Sequence, residues 1–294
     1  MIVVTGSSGF VGTNLVMRLV EAGHDVVGID RRQPSVVHGA PTEVTELSRP
    51  SPAASRLLGD AAAVVHLAAL PGVRACAPDI ENLRWSDNVL APRRVVSAMD
   101  PCAHLVVTSS SSVYGGSRYG RPCREDQPLD PIGGYAESKV LTERACATHP
   151  GPTCVLRPFT IIGEHQRSDM ALARWIALAE RGEPLTVYGA LDRTRDLTDV
   201  ADVVKAIVAA LERTTAATLN VGTGTAVTLG LCIETVRATV RDVPVRVVPS
   251  VVAEPDDTLA DTARFAATLG FVPTTSLADV IERQRRVSTM SAVG

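Results

Sequence analysis

Along the first 160 residues, short β-branched runs alternate with segments whose apolar positions recur every three or four residues. The runs at 2–4, 26–29, 63–67, 104–107 and 154–156 read as strands. The stretches 12–22, 88–99 and 136–148 carry helical spacing, as helices covering a sheet should. Strand and helix in alternation predict an α/β fold, a doubly wound parallel sheet of Rossmann type. Between residues 31 and 60, Pro, Ser and Ala break the periodicity and leave room for a short strand near 43–47 and one short helix. After Arg157 the order becomes irregular: a helix at 170–181, a strand at 185–187, a helix at 201–212, a strand at 218–221, then short alternating elements. This predicts two parts, 1–157 as the Rossmann-type domain and 158–294 as a smaller mixed lobe, with elements from about 190 to 222 returning to the first. From about Val287 the residues are small and polar and read as a frayed end.

Composition narrows the function. A chain of 294 residues, 45% hydrophobic and 21% charged, is an ordinary packed globule. Its formal net charge of -3 supplies no global field to draw a phosphate polymer or an anionic bilayer, so neither nucleic acid nor membrane is an expected partner. Met1 to Thr5 already read as a buried strand, and no apolar run reaches the roughly 18 residues of a membrane span, which predicts a cytoplasmic protein. Six scattered cysteines form no C-x-x-C pair, and no His cluster has metal-ligand spacing, so no metal is expected. The only lysines are Lys139 and Lys205.

Against that background, Gly6, Gly9 and Gly12 stand in T-G-S-S-G-F-V-G between the first strand and the first helix. There a pyrophosphate can meet backbone N–H groups and the positive end of a helix dipole, where a side chain would block the approach. Phe10 and Val11, inside the motif, join the predicted cofactor contact. Asp30, eighteen residues beyond Gly12, ends the second strand and can accept hydrogen bonds from both adenosine ribose hydroxyls. It would repel a 2′-phosphate, so NAD is the expected cofactor. Arg31 is counted with the cofactor contacts, and Arg31 and Arg32 keep NADP open as the alternative.

Tyr135-Ala136-Glu137-Ser138-Lys139 is a Y-x-x-x-K on a helix, preceded by serines at 109–112 and Val113-Tyr114-Gly115 after the fourth strand. Residues i and i+4 share a helix face, so Tyr135 and Lys139 can both point at the cofactor. With the glycine turn, this set resembles the extended short-chain dehydrogenases/reductases, NAD-dependent epimerases and dehydratases of NDP-sugars. The resemblance makes Tyr135 the base, Lys139 its cationic partner, and Ser110, three residues before Val113, the hydroxyl that meets the sugar. A free tyrosine titrates near pH 10, so Lys139 and oxidised nicotinamide are expected to lower Tyr135 by roughly 3 units, about 4 kcal/mol. Leu67, Ala68 and Ala69 after His66 resemble the family's loop along the cofactor, Asn88 its helical asparagine, and Glu46-Leu47 the pair that meets adenine. His66 itself reads as a buried strand-end residue.

Two positions bear on the reaction. Where family members that dehydrate or decarboxylate carry acidic residues after the catalytic hydroxyl, this chain has Ser111 and Ser112, which carry no carboxyl proton. The segment from Leu156 to Thr160, followed by Gln166 to Ala171, resembles UDP-glucuronate 4-epimerases. By that resemblance Thr160, Arg167, Ser111 and Ser112 hold the C6 carboxylate, Arg74 lies in the sugar loop, Arg174 and Arg195 approach the UDP moiety, and Asp257 lies near the uridine ribose. Trp85, Ser86, Pro92 and Ile161-Ile162 depart from the family pattern. The expected activity is C4 epimerisation of a UDP-sugar, UDP-glucuronate first, through a 4-keto intermediate. The alternatives are an NDP-4-keto-sugar reductase, a UDP-hexose or UDP-N-acetylhexosamine 4-epimerase, and a non-enzymatic dinucleotide sensor. A homodimer through helices 88–99 and 136–148 is the expected assembly.

Overall fold

Residues 2–5 are all β-branched and, apart from Thr5, apolar, and in the computed structural model they form the inner strand β1 (Ile2–Thr5) of a parallel sheet. The structure describes residues 1–72, 78–118, 120–250 and 252–293, with side chains as far as Val287. The chain continues through α1 (Phe10–Glu21), β2 (Val26–Asp30), β3 (Thr42–Val44), α2 (Pro52–Gly59) and β4 (Ala63–His66). Next come α3 (Ile80–Trp85), a π turn (Ser86–Leu90), α4 (Ala91–Ala98), β5 (His104–Thr108), a 3-10 turn (Ser111–Tyr114), α5 (Gly134–Cys146) and β6 (Thr153–Pro158). The last part holds β7 (Thr160–Ile162), α6 (Ala171–Arg181), β8 (Leu185–Tyr188), β9 (Thr194–Asp199), α7 (Val200–Glu212) and β10 (Thr218–Val221). It ends with β11 (Ala226–Thr228), α8 (Leu229–Thr239), β12 (Val245–Val248), α9 (Ala263–Leu269) and α10 (Leu277–Val293).

Seven parallel strands form the main sheet in the order β10-β6-β5-β4-β1-β2-β3. Thr5 aligns with Ile29 on one side and His66 on the other, so the strands end level. Alternate residues serve opposite faces. Val4, Val65 and Val106 pack with α1 and α7, whereas Val3, Val64, Leu105 and Val107 pack with α2 and α4. Strand order reverses between β1 and β4, which opens a crevice at their carboxyl ends, where the loops after β1, β2, β4 and β5 converge. A smaller lobe carries the β11-β9-β7 sheet and the β12-β8 pair, closed over Trp175, Ile176, Ile233, Val236, Val280 and Ile281. Sequence order and space part company here, since β10, α7 and Phe265 of α9 belong to the larger core.

Three expectations shift. The strand near 43–47 is Thr42–Val44, so Glu46 and Leu47 follow it in a turn. The chain is helical through to Val293, where a frayed end is expected from about Val287. The helix expected to start at Asn88 is already helical from Ile80, and it is interrupted at 86–90, where Pro92 has no N–H for the Asn88 carbonyl and its ring would collide with it. The chain widens into the π turn, Ala91 N–H reaches back to Ser86, and the Thr142 hydroxyl donates to the Asn88 carbonyl at 2.7 Å.

Candidate active site

The glycine turn is built by close contact. Gly6 has φ +72°, and a Cβ there would lie 2.7 Å from the Ala68 nitrogen; one on Gly12 would lie 2.0 Å from the Gly6 carbonyl oxygen. A Cβ on Gly9 would meet only the Gly6 oxygen, at 3.1 Å. No side chain caps α1, so its first N–H groups, beginning at Phe10 and Val11, are open to a ligand. Asp30, 8% exposed, accepts hydrogen bonds from Ser8 N and Arg32 N, both at 3.0 Å, which holds its carboxylate at the strand end. These features fit a dinucleotide: a phosphate at the bare turn and a ribose at the acid. Arg31, expected among the cofactor contacts, is paired with Asp87 of the π turn. Glu46 pairs with Arg49 at 3.2 Å and is half exposed, while Leu47 packs on the core beside α2.

The loop after β4 is held by β1. Leu67 N donates to the Thr5 carbonyl at 3.1 Å, and Ala68 N to the Thr5 hydroxyl at 3.2 Å. Ala69 and Leu70 follow, and Asn88 fastens the loop by accepting from Leu70 N at 2.7 Å and donating to the Leu70 carbonyl at 3.2 Å. Asn88 also donates to the Ser138 hydroxyl at 2.8 Å, and Ser138 donates to the Tyr135 carbonyl at 2.7 Å. The π turn thereby ties the loop along the cofactor crevice to the first turn of α5. His66 shares a 2.8 Å hydrogen bond with Thr5, and burial together with the Lys139 charge pushes it down to about 3, so it is neutral.

Tyr135 stands in the first turn of α5, with the Ser110 hydroxyl as hydrogen-bond partner of its side chain. Ser110 also accepts from Ser112 N at 3.2 Å, which sets the 3-10 turn. Lys139 is buried, donates to the Thr108 carbonyl at 2.6 Å, and is held down to about 8 by burial. The expected electrostatics need correcting. Burial raises Tyr135, and the charges opposing that rise are Arg167 and Arg84, not Lys139, whose ammonium is turned to the end of β5.

The expected substrate residues are distributed unevenly. Ser111, Ser112 and Thr160 are half buried at the crevice, and the Ser112 hydroxyl oxygen has no partner among the described residues. Arg167 pairs with Asp169 at 2.9 Å. Arg174 is exposed and lies over the Tyr188 ring, 5.8 Å from its centroid. Arg195 donates to the carbonyls of Thr194 and Asp256, both at 2.8 Å, and Asp257 accepts from Thr194 N and its hydroxyl. Arg74 lies outside the described residues. Sequence reasoning missed Arg84, whose i,i+3 spacing from Glu81 just ahead of Asn88 was the available signal. It also missed the buried Glu143–Arg157 pair one turn beyond Lys139.

A family model described as the NAD dependent epimerase/dehydratase family matches residues 2–222. The chain is 30% identical over 301 residues to an uncharacterized UDP-glucose epimerase, YtcB, of Bacillus subtilis (strain 168), covering 95% of this chain and 94% of that protein. MoeE5 in complex with UDP-glucuronic acid and NAD superposes with TM-score 0.88 at 31% identity, covering 99% of each chain. The same protein in complex with UDP-glucose and NAD gives TM-score 0.89. UDP-glucuronic acid 4-epimerase from Bacillus cereus, in complex with UDP-glucuronic acid and NAD, gives 0.88 at 28% identity, covering 98% of this chain and 99% of that one. A family match over so much of the chain, on a fold that supplies the dinucleotide crevice, means that the protein belongs to the NAD-dependent epimerase/dehydratase family, as an enzyme of the extended short-chain dehydrogenase/reductase type with NAD as its cofactor.

Proposed function

We propose that the protein epimerises a UDP-sugar at C4, with UDP-glucuronate and UDP-galacturonate as its substrate pair. The observation that carries this reading is the meeting of the Ser110 and Tyr135 side chains at the crevice, followed at 111 and 112 by serines that carry no carboxyl. Gly6, Gly9, Phe10, Val11 and Gly12 would hold the pyrophosphate, Asp30 the adenosine ribose, and Leu67, Ala68 and Ala69 the inner wall. Bound NAD supplies a hydride acceptor that can return the hydride. Tyr135 Oη takes the proton of the C4 hydroxyl and later gives it back, while Ser110 orients that hydroxyl. Lys139, anchored to Thr108, keeps a cation on the same face of α5. Serines at 111 and 112, with no carboxyl proton for dehydration or decarboxylation, favour rotation of the 4-keto sugar and return of the hydride to the opposite face of C4, with the proton going back to O4.

For the uronate, Thr160, Ser111 and Ser112 offer hydroxyls, the Ser112 oxygen being buried and without a partner among the described residues. Arg167 would exchange Asp169 for the carboxylate, Arg195 would face the diphosphate, and Arg174, Asp257 and Arg74 would line the nucleotide and sugar path. The same reading includes a cytoplasmic homodimer joined through α4 and α5, which lie side by side. MoeE5 has been solved with a uronate and with a neutral hexose, so a UDP-hexose is the second reading. An NMR time course with UDP-glucuronate, UDP-glucose and UDP-N-acetylglucosamine, without added NAD, separates them. Conversion of UDP-glucuronate to UDP-galacturonate supports the proposal, and turnover of a neutral sugar alone refutes its substrate. Tyr135→Phe should lower turnover by about 10²–10⁴-fold or more while NAD stays bound. Undiminished activity in that variant overturns the mechanism.

A further inference from the structure

The crevice holds a cation that the reading above leaves unused. Arg84, four residues before Asn88, has a side chain only 7% exposed. Its Nη1 donates to Glu81 Oε1 at 2.7 Å and its Nη2 to the Gly72 carbonyl at 3.2 Å, and its buried Nε has no partner among the described residues. The guanidinium lies against the first turn of α5. A Cβ on Gly134 would stand 2.9 Å from Arg84 Nη1 and 2.5 and 2.6 Å from the two Glu81 carboxylate oxygens, so only a bare residue leaves room for the pair. The next residue is Tyr135. A positive charge is disfavoured at a helix N-terminus, and Glu81 offsets that locally. A cation kept there against both burial and the helix dipole calls for a role.

We propose that Arg84 is a positioning residue for Tyr135: with Glu81 it ties residues 71–72 to the start of α5 and fixes a positive charge against Gly134, the residue before Tyr135. This rests on the reading of Tyr135 as the base. The charged and polar groups around Tyr135 are Ser110 from the turn after β5, Arg167 from the loop after β7, Arg84 paired with Glu81 from α3, and Lys139 one turn on along its own helix. Lys139 is turned to Thr108; Arg167, which opposes the rise at Tyr135 more than Arg84 does, is paired with Asp169 as Arg84 is with Glu81, but is 35% exposed and so more open to screening. Arg84 is the buried, doubly anchored member. Its charge opposes the rise that burial imposes on the phenol.

The test is the pH profile of kcat/KM for the NAD-bound protein, the Arg84→Gln and Glu81→Gln variants and Tyr135→Phe, with unfolding midpoint and NAD content measured on each. Losing the cation disfavours the phenolate, so in Arg84→Gln the acid limb should move to higher pH by roughly 0.5–1 unit. Below the limb the rate then falls about 3- to 10-fold, with KM little changed. Glu81, 69% exposed, can be neutralised without disturbing a core, and Glu81→Gln should move the limb the opposite way. A limb that stays in place in both variants overturns the proposal, as does a rise in KM with no movement of the limb. If Arg84→Gln does not fold, Glu81→Gln decides by the same criterion. Full activity in Tyr135→Phe would sink the base assignment itself, a result separable from an unmoved limb in the Arg84 and Glu81 variants.

Discussion

Replacing Arg157 with Met should destabilise the protein by about 3–5 kcal/mol, because it strands the Glu143 carboxylate inside α5. Arg157 is 7% exposed and Glu143 12%, and two N–H···O bonds of 2.8 and 2.7 Å join them in a fork. The same guanidinium donates to the Tyr114 hydroxyl at 2.8 Å and to the Glu125 carbonyl at 3.2 Å. After substitution Glu143 keeps the Ser109 hydroxyl, and Tyr114 keeps its 2.7 Å bond to Asn220, so the main loss is an unpaired buried charge plus about 1 kcal/mol of lesser hydrogen bonding. Urea unfolding at pH 7, followed by circular dichroism, reads the loss as a shifted midpoint at unchanged slope. The partner experiment is Arg157→Met with Glu143→Gln, which removes both charges and should recover most of the deficit. A single variant costing under about 1 kcal/mol would refute the reasoning, as would a double variant no more stable than the single.

Two further predictions follow from the crevice. Gly12→Ala places a Cβ 2.0 Å from the Gly6 oxygen and 2.8 Å from Ser7 Cα, both backbone, so it should expel NAD and lower the unfolding midpoint, whereas Gly9→Ala, at 3.1 Å from one oxygen, should be milder. The absorbance of NAD released on denaturation checks this, and a Gly12→Ala protein with full NAD content would contradict it. Lys139 is held at about 8, below its ordinary 10.5, so between these pH values the unfolded chain binds a proton that the native state does not. Wild type should therefore gain roughly 3 kcal/mol over Lys139→Met as pH rises from 8 to 10.5, with no further change below 8. Urea titrations at intervals across that window measure the gap; a constant difference would disprove the linkage.

Much of the crevice is readable before any folding is known, because its signals are local. A parallel strand buried on both faces must be short and apolar, a pyrophosphate at a helix start demands bare backbone, and Tyr135 with Lys139 share a face by helical spacing alone. The stretch from 31 to 60 was less legible, since β3 is an edge strand of three residues with no apolar period to betray its limits. The sequence places one helix from Asn88 with Pro92 near its start, whereas the structure begins it at Ile80 and absorbs the proline in a π turn.

What the chain by itself determined, then, is the main sheet, the glycine turn at the start of α1 and the placing of Tyr135 and Lys139 four apart on one helix. Tertiary structure alone decided which charges meet. Strand order brings α3 against α5 and so sets Arg84 against Gly134; it gives Arg31 to Asp87 and turns Lys139 to Thr108. Spacing along a helix or strand follows from backbone geometry, but the partner of a buried charge is whatever distant segment the fold presses against it, and no local pattern records that choice.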